Sequence, residues 1–313
     1  MWRFPMSERM VLHALDGSNP LAFLAALGTL RLLDLHDPTA EVQINWRRDP
    51  AWRPELSGLF ASKEQLCETL LAAKTVPLES FAALGKDITV SRDTFRGFVE
   101  HAFEDARQGN KRTQADFAAA FGSEVCEEKD KDRIEYTDLC FITGSGHQHF
   151  LGTMSSLGEN VTVDHLFDAL FGNWKRDKGL SMRWDPGDAA EYALRWGDPS
   201  KDGASAVWGA NWLAIEALPL VPVQPSRRGL ETTAFRNGER GEWPQFTWPI
   251  WTQPATQDTV RSLLSLTELQ EPDRTLEREK LRARGIDEVY RAERVRIGQG
   301  ANFKVSFRPS RAI

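Results

Sequence analysis

The sequence predicts a mixed α+β fold, with strands near the N-terminus and the C-terminus joined by intervening helical blocks. Three patterns support this prediction. A short strand-like segment near the start leads into a capped apolar helix, the middle of the chain has long stretches of helical periodicity, and the tail alternates apolar and polar residues.

The first predicted elements are a strand at 10–15 and a helix at 20–35. Asn19 is a favourable N-cap, and the proline that follows it suits the first helical position. The apolar residues of this helix cover most of its faces, which predicts burial on more than one side. Gly28 costs about 1 kcal/mol relative to alanine in mid-helix, so we expect a close backbone neighbour. With a strand at 42–46, we interpret this region as one α/β unit.

Two helical blocks, at 63–121 and 147–171, are predicted on either side of an acidic segment. Residues 124–138 contain seven acidic and three basic side chains, a composition typical of a solvated loop. A short apolar strand is expected at 138–143. Because the acidic segment separates regions of different composition, we predict a domain boundary there.

The predicted domains are an N-terminal α/β and helical region at 1–123 and a Trp-rich mixed region at 139–313 that ends in basic strands. Eight of the eleven tryptophans lie between 174 and 251, and we expect most of them in the core or in an interface. The other elements expected here are an apolar helix at 205–217, irregular hairpins at 224–254, helices at 256–265 and 275–284, and strands within 289–307.

Charge and cysteine content restrict the function. The 313 residues carry a net charge of −6, which excludes a small protein that coats nucleic acid through a general basic excess. Residues 281–313 have eight basic and three acidic side chains, a net charge of +5, so the preceding 280 residues total −11. Three unevenly spaced cysteines predict reduced thiols. No apolar stretch is long enough to span a bilayer, so we expect a cytoplasmic protein with no membrane partner.

A glycine-rich turn is the most distinctive local motif. A turn between a strand and a helix can direct backbone N–H groups at a phosphate. Its candidate nucleic-acid-binding residues are Gly144, Ser145, Gly146, His147 and His149. The two histidines could instead hold a metal ion with a third ligand such as His165 or Asp168. The alternative function is therefore a metal-dependent nuclease or phosphodiesterase. The other interpretation is an ordinary tight turn with no binding role.

Arginine-rich segments supply the other candidate binding residues. Arginine suits bidentate contacts to phosphate and guanine, and asparagine suits adenine. A loop in the Gly- and Pro-rich region carries the first set, which is Arg227, Arg228, Asn237 and Arg240. The basic tail carries the second set, expected to contact phosphates, which is Arg291, Arg294 and Arg296. Ordinary surface arginines are the alternative interpretation.

Three phrases resemble a known family. They are Gly17–Gly28 (GSNPLAFLAALG), Tyr192–Pro199 (YALRWGDP) and Gly209–Pro219 (GANWLAIEALP). These phrases resemble CRISPR-associated proteins of subtype I-G, formerly I-U, which are described as a Cascade large-subunit-like family or as an extension of the helicase-nuclease. The resemblance extends over most of the chain, and its motifs are not catalytic signatures.

The resemblance implies a non-catalytic subunit of a Cascade-like effector complex in antiviral defence. Such a subunit would contribute to crRNA and target DNA binding, PAM recognition and R-loop formation. The implied partners are the other CRISPR effector subunits, crRNA, target double-stranded DNA and, in the second role, the helicase-nuclease. We predict no catalytic residues, no cofactor and no metal. A protein-interaction accessory without nucleic-acid contact remains a further alternative.

Overall fold

A computed structural model describes residues 8–58, 60–75, 78–109, 112–144, 148–188, 205–236, 243–273, 275–297 and 304–313. These residues form an α+β fold with several antiparallel sheets, in agreement with the predicted class. The described α-helices are α1 (Pro20–His36), α2 (Lys63–Ala72), α3 (Arg92–Arg107), α4 (Thr113–Phe121), α5 (Phe150–Asn160), α6 (Val163–Phe171), α7 (Trp208–Glu216), α8 (Gln257–Leu264) and α9 (Arg278–Ala283).

The described strands are mostly short and pair as hairpins. They are β1 (Glu8–Val11), β2 (Gln43–Asp49), β3 (Ala51–Gly58), β4 (Gly122–Glu127), β5 (Ile134–Tyr136), β6 (Asp177–Lys178), β7 (Ser205–Ala206), β8 (Val223–Ser226), β9 (Gly229–Thr232), β10 (Phe235–Arg236), β11 (Gln245–Trp251), β12 (Ile286–Ile297), β13 (Lys304–Phe307) and β14 (Arg311–Ala312).

The N-terminal sheet has the antiparallel order β1-β3-β2. Sequence patterns predicted β2 at 42–46, but they placed the first strand at 10–15, whereas β1 ends at Val11. The central strand β3 was not predicted. Strand β3 contains Pro54, which is unusual in the middle of a sheet, and six of its eight residues are buried. The predicted strand–helix–strand unit is therefore completed by a third strand that separates β1 from β2.

Helix α1 confirms the predicted start and the predicted burial. Asn19 accepts hydrogen bonds from the backbone N–H groups of Leu21 and Ala22, and every residue from 20 to 33 is buried. A Cβ atom on Gly28 would lie 1.7 Å from the carbonyl oxygen of Leu213 on α7. The close backbone neighbour expected at Gly28 is therefore this turn of α7.

A buried ion pair joins the same two helices. The guanidinium of Arg31 on α1 is 1% exposed, and its Nη1 lies 3.0 Å from Oε2 of Glu216 at the end of α7. The hydroxyl of Thr75 donates to the same carboxylate oxygen at 2.5 Å, and Asp116 on α4 lies 3.9 Å from Arg31 Nη2. Four separate segments thus meet around one buried cation.

The predicted helical blocks are confirmed. The predictions of a solvated loop at 124–138 and of a strand at 138–143 are wrong. Strands β4 and β5 form a hairpin over 122–136 in which Ile134 is fully buried, whereas Glu127 and residues 129–132 are exposed. Residues 139–142 are buried but are not paired as a strand. Side chains satisfy two of their carbonyls, since Trp184 donates to Leu139 at 2.9 Å and Arg294 donates to Cys140 at 3.1 Å.

The C-terminal sheet has the order β10-β11-β12-β13, and β14 also pairs with β12. Its tryptophans reach across to the N-terminal region. The indole of Trp248 donates to the Gly17 carbonyl at 2.8 Å, and that of Trp251 donates to Ile44 at 2.9 Å. One hydrophobic core therefore contains residues from both predicted regions.

The three cysteines are free and buried, as expected for reduced thiols. Burial raises the pKa of the Cys67 and Cys140 thiols to about 12, so both are protonated at neutral pH. Among the described residues, no helix has the length and apolar character needed to cross a lipid bilayer.

Candidate nucleic-acid interface

Arg227 and Arg228 form the tip of the β8–β9 hairpin. Ser226 and Gly229 are the last paired residues before the turn, and both arginines between them are exposed. The backbone N–H of Arg228 donates to the hydroxyl of Ser226 at 3.0 Å, which fixes the turn. In the described part of the chain, neither guanidinium has an ion pair or a hydrogen bond. The hairpin therefore presents two adjacent cations to solvent.

A polar cleft of about 220 Å³ lies beside this tip. Its lining residues are Glu128, Glu135, Tyr136, Asp138, Arg228 and Leu230. The backbone N–H of Leu230 donates to Glu135 Oε2 at 2.6 Å, which attaches β9 to β5. Burial raises the pKa of Asp138, and the charge of Arg294 partly offsets that effect.

The cleft does not suit a phosphate, because three of its lining side chains are carboxylates. Glu135 also explains a local glycine. Gly229 has φ +118°, and a Cβ atom there would lie 2.7 Å from Glu135 Oε2. Arg227 does not line this cleft and is exposed on the hairpin.

The tail arginines separate into different environments. Arg291 is 2% exposed and donates to Thr247, Asp273 and the carbonyls of Leu269 and Glu271, at distances of 2.6 to 2.9 Å. A phosphate cannot reach this guanidinium. We therefore leave Arg291 out of the proposed interface.

Arg294 and Arg296 lie further along β12. Arg294 is half-buried, donates to the carbonyl of Cys140 at 3.1 Å and lies over the Phe141 ring at 5.3 Å. Its main contacts are therefore within the fold. Arg296 is exposed near the end of β12, opposite Val305 on β13.

The described part of the glycine-rich turn is held by a carboxylate. Gly144 has φ +86° and donates its N–H to the carbonyl of Gln148 at 2.8 Å. His149 Nδ1 lies 2.5 Å from Asp87 Oδ2, and the N–H of Phe150 donates to the other oxygen of Asp87 at 2.8 Å. Asp87 thus occupies the position at the start of α5 that a phosphate would take.

Several predicted site residues lie outside the described residues. They are Ser145, Gly146, His147, Asn237 and Arg240, together with the phrase at 192–199. Within the described ranges, no three His, Cys, Asp or Glu side chains converge to hold a metal ion.

A second arginine-bearing hairpin, β2–β3, was not predicted from the sequence. Arg47 and Arg48 lie in the exposed end of β2, and Arg53 lies on β3 after the turn at Pro50. The repeated Trp-Arg pattern in Trp46-Arg47-Arg48 and Trp52-Arg53 is the signal that could have indicated it. In the described part of the chain, the β2–β3 and β8–β9 hairpins both carry arginines without a strong carboxylate partner near their tips.

No protein-family model matches the chain, and no curated protein matches it. The subtype I-G resemblance therefore stays a prediction.

Proposed function

We propose that this chain is a non-catalytic subunit of a type I-G CRISPR effector complex, which contributes to crRNA and target DNA binding, PAM recognition and R-loop formation. The resemblance of the three sequence phrases suggests the assembly. The observation that carries the nucleic-acid contact is the exposed pair Arg227 and Arg228, which has no carboxylate partner in the described structure.

The guanidinium groups of Arg227 and Arg228 have the shape and charge to bind phosphate or guanine. Each presents up to five N–H donors in a planar fork that matches phosphate oxygens or the guanine edge. In RNA-guided recognition, base pairing supplies the sequence specificity, so the protein needs only a short motif reader and backbone contacts. A localised pair of arginines on a chain of net charge −6 is compatible with that division of work.

The hairpin also holds these arginines in a defined place. The backbone N–H of Leu230 donates to Glu135, and Oγ1 of Thr232 accepts the N–H of Asp138 in the turn after β5 at 2.9 Å. Because the strands beneath the tip are fixed, less conformational entropy is lost when the tip binds a partner. We propose target double-stranded DNA as that partner, with crRNA and the other effector subunits completing the assembly.

The test removes the two charges and compares a matched control. Arg227→Ala with Arg228→Ala is expected to weaken target-DNA binding by the assembled complex about tenfold and to reduce its salt dependence. The control is Arg92→Ala with Arg96→Ala, since these exposed arginines on α3 already lie 3.6 Å from Glu127 and 3.3 Å from Glu124.

Equal binding by wild type, variant and control, with the complex intact, would contradict the proposal. Such a result would favour the protein-interaction accessory. Loss of assembly in the Arg227 and Arg228 variant alone would assign the hairpin to a subunit interface instead of DNA. The readouts are electrophoretic mobility for DNA and size-exclusion chromatography for assembly.

A further inference from the structure

The β2–β3 hairpin places two like charges directly opposite each other. The strand register pairs Arg47 with Arg53. Side chains opposite each other on antiparallel strands have Cβ atoms about 5 Å apart, and like charges at such positions are destabilising. In the isolated chain this arrangement has an electrostatic cost, so its presence requires an explanation.

Nearby carboxylates do little to neutralise the pair. Arg47 lies 3.9 Å from Asp49, and the two side chains are 59% and 72% exposed, so water screens that contact. Arg53 has no side-chain hydrogen bond or ion pair among the described residues. The next carboxylate on β3, Glu55, is 3.2 Å from Arg9 on β1.

The hairpin beneath these arginines is firmly anchored. Trp46 is fully buried and stacks on Phe23 of α1 at 5.7 Å between ring centroids. Trp52 is 9% exposed, and the guanidinium of Arg48 lies over its ring at 5.6 Å. The arginines therefore extend from a rigid two-stranded ribbon.

We infer that the tip of the β2–β3 hairpin binds the phosphate backbone of double-stranded DNA, with Arg47 and Arg53 contacting the same phosphate group. This inference rests on the proposed function and names a second contact to the same double-stranded DNA. A phosphate between the two guanidiniums would convert their repulsion into two charge-assisted contacts. A two-stranded ribbon is also narrow enough to enter the major groove, which is about 12 Å wide.

The aromatic residues favour a duplex over a single strand. Proteins that bind single strands stack bases on exposed aromatic rings. Here Trp46 is buried and Arg48 covers Trp52, so the hairpin offers charge but no stacking surface. Backbone phosphates are the part of DNA that such a surface recognises.

The experiment compares four forms of the full chain. They are wild type, Arg47→Ala with Arg53→Ala, Arg227→Ala with Arg228→Ala, and the control Arg92→Ala with Arg96→Ala. The probes are a short duplex DNA, a single strand of the same length, and vesicles containing phosphatidylserine. Fluorescence anisotropy over a salt series gives affinities for the DNA probes, and co-sedimentation gives binding to vesicles.

We expect the Arg47 and Arg53 variant to bind duplex about tenfold more weakly, with the slope of log affinity against log salt lower by about two. Its affinity for the single strand should fall less. A further variant, Arg47→Lys with Arg53→Lys, should retain most of the salt slope because it keeps both charges. Circular dichroism checks that each variant is folded.

Failure of this inference can be distinguished from failure of the proposed function. If the Arg227 and Arg228 variant loses DNA binding while the Arg47 and Arg53 variant matches the control, the inference is overturned and the proposed function stands. If both variants match the control, both are overturned. Loss of vesicle binding without loss of duplex binding would assign the hairpin to a lipid surface and would also overturn the inference.

Discussion

Arginine lies in opposite environments in the α1–α7 junction and at the two hairpin tips. In the junction, Arg31 has Glu216 at 3.0 Å and is 1% exposed. At the tips, Arg53 and Arg227 have no side-chain partner among the described residues. Buried guanidiniums must be satisfied within the protein, because an unpaired buried charge is strongly destabilising. The comparison indicates that the interior arginine has its partners within the protein, whereas the tip arginines are available to an external anion.

The largest effect is expected for Glu216→Ala, which tests whether the buried Arg31 depends on its carboxylate partner. Removing the carboxylate leaves Arg31 buried without its main partner, so we expect the free energy of unfolding to fall by about 3–5 kcal/mol. Urea denaturation monitored by fluorescence would measure the loss. A second change, Arg31→Met, should restore part of it because the unpaired charge is removed.

An exposed pair provides the control. Glu268 lies 2.5 Å from Arg284, whose side chain is 47% exposed, and Glu268→Ala should cost less than about 1 kcal/mol. Similar losses for Glu216→Ala and Glu268→Ala would contradict the distinction between interior and surface arginines.

The next largest effect tests the close contact between helices α1 and α7. In Gly28→Ala the new methyl group would lie 1.7 Å from the Leu213 carbonyl oxygen, so α1 and α7 must move apart. We expect a loss of about 3 kcal/mol in unfolding free energy. Gly97→Ala on α3 is the matched control, because a Cβ atom there has nothing within 4 Å; it should stabilise the protein by about 0.5–1 kcal/mol. Thermal unfolding of both variants would show opposite shifts, and shifts of the same sign would refute the helix contact.

The smallest expected effect tests the repulsion between the arginines of the β2–β3 hairpin. Arg53→Thr removes the like charge opposite Arg47, so we expect the unfolding free energy to rise by about 0.2–1 kcal/mol. The gain should shrink at high salt, where exposed charges are screened. Arg9→Thr on the neighbouring strand should bring no gain, since Arg9 has Glu55 at 3.2 Å. Denaturation at low and high salt measures both, and a salt-independent change at Arg53 would argue against electrostatic repulsion.

Local signals predicted the elements that depend on local chemistry. Asn19 and the following proline located the start of α1, and Gly28 correctly indicated a close neighbour. The acidic segment at 124–138 was misassigned because its charges suggested a loop, although Ile134 anchors a hairpin there. The run at 138–143 was predicted as a strand, yet the carbonyls of Leu139 and Cys140 accept hydrogen bonds from side chains of distant residues. Those contacts have no local signature.

In the candidate site, too, only residues that are close in sequence could be predicted to cluster. Arg227 and Arg228 are adjacent in sequence, so their cluster was visible before the fold was known. Arg47 and Arg53 become neighbours only through the strand register, and β3 was not predicted. Arg291 belongs to the same basic tail as Arg296, yet one is buried and the other exposed. Composition alone could not separate them.

The contact between α1 and α7 also has a consequence for synthesis of the chain. Arg31 and Glu216 are 185 residues apart, and ribosomes add about 5–20 residues per second. Roughly 10–40 s therefore pass between translation of α1 and translation of the helix that covers it. Throughout that interval α1, whose residues 20–33 are all buried in the folded protein, has no α7 against which to pack. Its apolar surface is then exposed, as it is in the folding intermediates that require chaperones.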